Sequence, residues 1–306
     1  TLAAIPVASA TEALQGKMAG VQITTTEGSP DAQMSIRVRG GGSITQSNEP
    51  LFIVDGFPVE SISDIPPTDI ESIDVLKDAS STAIYGARGA NGVIIVTTKS
   101  GKEGKVSVSY NAYYAWKKVA KTLDVLSASD YTKWQYELAQ LTNKNDDYIK
   151  YFGNYQDLDM YDNVATNDWQ DLTFGRTGHS FNHNLSINGG SDKFKYSFSY
   201  SHIDDKAIMQ MSDYARDNLN LKLNHKPLKN VSLDFSARFS KTKINGGGSN
   251  DANSSLNTDK RLKYSLLYTP YPVPGISDAL NADEEDANSL LINPLISLRD
   301  NDTRKE

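Results

Sequence analysis

The 306-residue chain contains no cysteine, which excludes a disulfide framework, a thiolate metal site and a cysteine nucleophile. Histidine is scarce, with four residues, and none stands beside a nucleophile in a pattern that anchors catalysis. The chain is therefore not read as an enzyme. No apolar run approaches the ~20 residues of a membrane helix; Val93 to Val96 is typical of the longest. Lys and Arg total 31 against 38 Asp and Glu, a net charge of −7, which argues against a nucleic-acid partner. The first ten residues end in Ala-Ser-Ala but lack a basic start and are interrupted by Pro6. They are not read as a signal peptide, and the chain reads as a mature piece of something larger.

What is present in strength is alternation. Five segments place an apolar or aromatic residue at every second position: Val106 to Trp116, Phe181 to Ile187, Phe194 to Tyr200, Leu219 to Leu223 and Val231 to Phe239. A period of two means strands with one greasy face. The opposite face is small and hydrophilic, as in Asn182, Asn184, Ser186 and Asn188, or Ser197, Ser199 and Ser201. Each segment has roughly the 9 to 13 residues that a tilted strand needs to cross a hydrocarbon core. The connections run long (118–177), short (189–192), medium (204–213), short (226–230) and long (244 onward). Short turns on one side and long loops on the other are the habit of outer-membrane barrels. A soluble antiparallel sandwich also alternates, but a connection of roughly 60 residues is uncommon inside one.

Residues 1–104 behave differently and predict a small α+β domain with a mixed sheet. Ser9 with Glu12 has capping-box spacing and opens a short helix that ends near Gly16 to Gly20. Strands are expected at 21–26, 34–39, 51–54, 73–76 and 93–98. Thr68 with Glu71 repeats the capping spacing after Pro66-Pro67, and Asp78 to Tyr85 predicts a helix closed by Gly86. Residues 105–306 then form the strand-rich part with long loops.

Four stretches carry a family resemblance: Ala13-Leu14-Gln15-Gly16-Lys17-Met18-Ala19-Gly20-Val21, Ile36-Arg37-Val38-Arg39-Gly40, Pro50-Leu51-Phe52-Ile53-Val54-Asp55-Gly56, and Ile70 to Gly86. With Gly92 to Lys99 as the closing strand, they resemble the plug of a TonB-dependent transporter. The wording, including Gly178-His179-Ser180-Phe181-Asn182-His183-Asn184-Leu185 downstream, is closest to the SusC-like branch found in Bacteroidota. The resemblance implies an α+β plug followed by the first strands of an outer-membrane barrel of about 22 strands. An open sheet of five strands would leave unpaired backbone groups in lipid, so the chain reads as a fragment. The resemblance also implies a SusD-like lipoprotein partner. TonB would engage a segment upstream of Thr1. The substrate it implies is an oligosaccharide, or sometimes a peptide.

Several motifs need weighing. Arg39-Gly40-Gly41-Gly42-Ser43 follows a strand but leads into another strand, unlike a phosphate cradle, which opens a helix. By resemblance, Gly41, Gly42, Ser43, Thr45, Gln46 and Asn48 form a plug loop facing the substrate; a plain glycine turn is the simpler reading. Arg37, Arg39, Glu71 and Lys77 are candidates for ion pairs that latch plug to barrel. His179 and His183 lie four apart, about 13 Å along a strand at ~3.3 Å per residue, too far for one metal ion. Asp283 to Asp286, and Asp157, Asp159 and Asp162, lack the calcium-loop glycine; a structural calcium is the one cofactor they leave open. Residues 126–138 predict a helix in the first long loop, whose aromatics, with Tyr148, Tyr151, Phe152, Tyr155 and Trp169, either stack on sugar rings, dock a partner protein or pack on themselves. Beside TonB-dependent import, two other classes stand: a surface receptor or adhesin built on the same barrel, and a soluble glycan-binding sandwich.

Overall fold

A computed structural model describes residues 10–14, 16–18, 20–25, 34–38, 48–78, 83–246, 261–277, 293–300 and 304–305. The first domain starts with helix α1 (Ala10–Leu14) and an antiparallel pair, β1 (Gln22–Thr25) and β2 (Met34–Arg37), in which Ile23 faces Ile36. Then come β3 (Leu51–Val54), β4 (Phe57–Val59), β5 (Ile70–Leu76) and β6 (Val93–Thr98), ordered β4-β3-β6-β5 with β3 and β6 parallel. The parallel pair is apolar on both faces, as a covered strand must be. Ile94 and Val96 are fully buried, with Ile62, Ile65, Leu14 and Ile36 packed around them.

Two helix signals are not followed as expected among the described residues, and 79–82 of the second lie outside them. The Thr68–Glu71 spacing opens no helix: a single 3-10 turn, Pro67–Asp69, has no side-chain cap and passes straight into β5 at Ile70. Asp78 sits in a bend, and the 3-10 segment is Ala83–Gly89, kinked at Gly86 (φ 59°, ψ −148°). A non-helical glycine inside that run interrupts the helix where the sequence suggested only its end.

The second part is a meander of long antiparallel strands: β7 (Gly104–Lys117), β8 (Gly178–Gly190), β9 (Phe194–Lys206), β10 (Asp213–Leu228) and β11 (Val231–Asn245), with the two-residue β12 (Arg304–Lys305) added beside β11. Burial on β8 to β10 is inverted relative to a soluble sheet. Ser180, Asn184, Ser197, Ser199, Ser201, Asn218 and Asn220 are buried, while Phe181, Tyr200 and Leu219 on the other face are each 38–40% exposed. On β7 and β11 the apolar face is barer still, with Val108 at 62% and Phe239 at 62%. Among the described residues the oily stripes pack against no second sheet, which removes the sandwich reading.

The strand register adds a geometric fact. Tyr110, Leu185, Tyr200, Leu219 and Phe239 stand in one row across the five strands. Phe239 is the last apolar residue of the stripe on β11, whereas on β7 the stripe runs six residues beyond Tyr110, to Trp116. The upper edge of the apolar band thus shifts by about 20 Å along the strands over a sheet width of about 19 Å. At the lower edge, Tyr196, Leu223 and Phe235 form the row beside which β7 begins its stripe at Val106, and β11 continues four residues further, to Val231. That shift is about 13 Å over the same width. The band therefore crosses the sheet at about 35 to 45°, the tilt of strands in an outer-membrane barrel.

Candidate functional site: the plug face on the polar wall, under the outer loops

The buried polar face of β8 to β10 is where the first domain sits. At one point Asp55 and Lys222 pair at 2.8 Å, with side chains only 21% and 15% exposed. Asp55 follows β3 in a left-handed conformation (φ 51°) that Asp tolerates better than most residues. Its carboxylate also accepts the Thr98 N–H at 2.9 Å and the Thr98 hydroxyl at 2.8 Å, while Lys222 donates a second bond to the Thr98 carbonyl at 3.0 Å. Burial alone would raise the Asp55 pKa, but the hydrogen bonds from Lys222 and Thr98 outweigh it and hold the group below the usual carboxylate value. One barrel lysine thus clasps the ends of two plug strands.

At a second point Asp69 is buried and accepts the Ser199 hydroxyl at 2.7 Å and the Asn184 amide at 3.5 Å. It has no cation partner within salt-bridge distance among the described residues, and burial pushes its pKa up despite those bonds. Beside it the Lys99 N–H donates to the Asp69 carbonyl at 2.8 Å. At a third point the Arg216 guanidinium donates to the Ser63 carbonyl at 2.5 Å. The link out of the domain is close-fitted as well: a Cβ at Gly101 would lie 2.5 Å from the Tyr196 backbone N and O. Only glycine passes there.

The residues singled out from sequence fall differently. Gly41, Gly42, Ser43, Thr45, Gln46 and Arg39 lie outside the described residues; Asn48 stands half-buried just before β3. Glu71 pairs at 3.3 Å with Lys102, on the link between the domains, and both are exposed. Arg37 is exposed on β2, and the exposed Lys77 lies over Gly20. Among the described residues, neither Arg37 nor Lys77 reaches the wall by a hydrogen bond or an ion pair. The wall contacts among the described residues are made instead by Asp55, Asp69, Ser63, Lys222, Asn184, Ser199 and Arg216. One signal for them was available: Lys222 and Arg216 are cations on faces otherwise made of Ser and Asn.

On the long-loop side, helices α2 (Ala128–Thr142), α3 (Asn145–Phe152), α4 (Trp169–Phe174), α5 (Arg261–Leu267) and α6 (Pro294–Asp300) form a canopy. Ser127 caps α2 by accepting the Asp130 N–H, and Asp168 caps α4 by accepting the Gln170 and Asp171 N–H groups. The loop aromatics mainly pack on themselves. Tyr148, Phe152, Tyr271 and Val273 are buried together. Burial and the neighbouring Tyr161, Tyr136 and Tyr155 push Tyr148 up to about 12. The first loop is tied to the chain after α5 by Thr132 and Tyr271 hydroxyls at 2.5 Å, Trp169 Nε1 to the Thr269 carbonyl at 2.8 Å, and Asn167 N–H to the Pro270 carbonyl at 2.6 Å. His183 bonds Tyr110 and His179 stacks on Tyr114, on the outward face of the sheet. Among the described residues no three His, Asp or Glu side chains gather as a metal site; Asp283 to Asp286 lie outside them.

An α+β plug seated against the polar side of tilted strands, with their apolar side bare, defines the class of plugged outer-membrane barrels. Comparison with known proteins gives the family. The TonB-dependent Receptor Plug Domain matches residues 1–93. The TonB-dependent receptor SusC of Bacteroides thetaiotaomicron is 39% identical over 218 residues, which is 68% of this chain and 20% of that protein. A TonB-dependent receptor of Formosa agariphila is 36% identical over 304 residues, 94% of this chain and 30% of its own. Among solved structures, the RagAB peptide transporter covers 91% of this chain and 34% of its own at 28% identity and a TM-score of 0.67. The chain belongs to the SusC-like TonB-dependent transporters, a family of receptors and transporters rather than enzymes. It spans between a fifth and a third of the length of these relatives.

Proposed function

We propose that the whole protein lies in the outer membrane and imports a nutrient, an oligosaccharide or a peptide, with energy supplied through TonB. The cargo is caught between the outer loops and a SusD-like surface lipoprotein. TonB pulls on a segment N-terminal to the plug, the plug shifts against the wall, and a path opens along the Ser and Asn face. The observation that carries this reading is the inverted burial of β8 to β10, with the plug on the polar side. Its contacts with the wall are discrete hydrogen bonds and one ion pair, which water can replace when the plug moves. That makes displacement cheaper than at a dry apolar interface.

The test is uptake by cells expressing the full-length protein, with and without TonB. Uptake that requires both supports the reading, as does recovery of the protein in the outer-membrane fraction together with the lipoprotein. Uptake that persists without TonB, or binding of cargo with no uptake in either strain, overturns it.

A further inference from the structure

We propose that a cavity in the outer loops receives an apolar, ring-sized side chain of a peptide. The inference rests on the import reading and names the cargo class for it. The cavity, about 230 Å³, opens between the start of α2 with the residues entering it and the end of α5 with the residues following it. Val125, Leu126 and Trp134 form one wall, and Leu266, Tyr268 and Pro270 form the other. These walls come from connections far apart in sequence. The Thr132–Tyr271 hydroxyl pair ties α2 to the chain after α5, and the Trp169–Thr269 and Asn167–Pro270 hydrogen bonds fix that chain from a second side.

The chemistry of the lining decides between cargo classes. Its hydrogen-bonding groups are largely spent within the protein. The Trp169 indole N–H donates to the Thr269 carbonyl, and the Ser265 hydroxyl donates to the Leu262 carbonyl. A sugar ring that filled the cavity would bury several of the hydroxyls it carries on most of its carbons, and the lining offers few groups to replace their water. A Phe, Leu or Trp side chain has no such loss and gains burial against aromatic faces. The Asn167 side-chain amide remains at the wall to meet one backbone carbonyl or N–H of an extended peptide. The mouth is open: Val125, Leu126 and Trp134 are 41%, 46% and 47% exposed.

The experiment is calorimetric titration of the full-length protein in detergent with Ala-Phe-Ala, Ala-Ser-Ala and maltotriose. Ala-Phe-Ala is expected to bind about tenfold or more tighter than Ala-Ser-Ala. Val125→Arg, at the exposed mouth, should remove most of that difference. Leu267→Arg, 53% exposed beside the other wall, is the second variant should the first misassemble. Equal binding of the two peptides, no binding of either, unchanged Ala-Phe-Ala affinity in a folded variant, or maltotriose binding abolished by the same substitution would each overturn the assignment. TonB-dependent uptake that survives such a result leaves the import reading standing; uptake that does not need TonB strikes that reading alone.

Discussion

Lys222 is the most informative residue to remove. Its ammonium lies between Asp55 and the Thr98 carbonyl, and both partners of the ion pair are mostly buried. Breaking a fully buried pair from one side costs about 3 to 5 kcal/mol because a charge is left behind. Here Asp55 keeps two bonds from Thr98, and its residual exposure lets water in, so about 1 to 3 kcal/mol is expected for Lys222→Met. If that energy holds the plug to the wall, the detached population rises by about 5- to 150-fold. The assay is passive flux of a small solute through the full-length protein in planar bilayers. The double variant Lys222→Met with Asp55→Asn should recover part of the loss, since Asn accepts the left-handed backbone and leaves no stranded charge. The pH dependence has a definite sign. The Asp55 pKa is lowered from its ordinary 3.8 in the assembled state, so its contribution is complete above that value and disappears as pH falls through the lowered one. Wild type and Lys222→Met should therefore converge in strong acid and differ most near neutrality. Flux within twofold of wild type at pH 7 would refute the latch.

Three further outcomes are expected. Asp69→Asn should hold the plug as well as wild type or better, because burial already disfavours its charge and Asn can still accept the Ser199 hydroxyl. In wild type this contact strengthens as pH falls through the raised Asp69 value, opposite in sense to Asp55; a large rise in solute flux in Asp69→Asn would contradict both statements. Leu221→Lys, in the middle of the outward apolar band opposite Phe198 and Ala237, should cost about 2 to 4 kcal/mol when unfolding is measured in lipid. A negligible effect would mean that this face does not meet hydrocarbon. Gly101→Ala should lower the yield of assembled protein on heat-modifiability gels, since its Cβ would collide with the Tyr196 backbone; normal yield would show that the link has slack.

The sequence made the strand faces legible because a period of two survives without tertiary information. It also exposed the plug, through strings such as Leu51 to Gly56 whose order is specific. It missed β4, whose Phe57-Pro58-Val59 lacks alternation and carries a proline tolerated at a sheet edge. The capping spacing at Thr68 failed because a helix there would break the pairing of Ile70 with Thr98 on β6; tertiary pairing overrode a local signal. The tilt of the apolar band was invisible since it depends on register between strands, which no single strand encodes. Among the candidate latch residues, the conspicuous arginines and lysines of the plug drew notice. The cations that meet the plug are Lys222 and Arg216, on the wall, and their partners are an Asp in a turn and two backbone carbonyls, while the buried Asp69 is held by Ser199 and Asn184.

Under the proposed import, that distribution follows from what the wall must do in two states. With the plug seated, each wall group must find a partner on it, since an unpartnered buried polar atom costs about 1 to 3 kcal/mol. With the plug displaced, the same groups must be content in water. Serine and asparagine satisfy both demands because they exchange plug partners for water with little net change. A buried charge does not, and so charges are few and localised: Lys222 and Arg216 on the plug side of β10, and Asp55 and Asp69 on the plug itself. The isoleucines of the plug, Ile62, Ile65 and Ile94, are at most 1% exposed and gain nothing from water. Wall contact and plug core therefore differ in kind. The first is a handful of replaceable polar links; the second is a dry cluster whose exposure costs about 25 cal/mol for every Å² uncovered. A force applied to the plug meets its weaker resistance at the wall, where the Lys222–Asp55 pair concentrates the energy that has to be overcome.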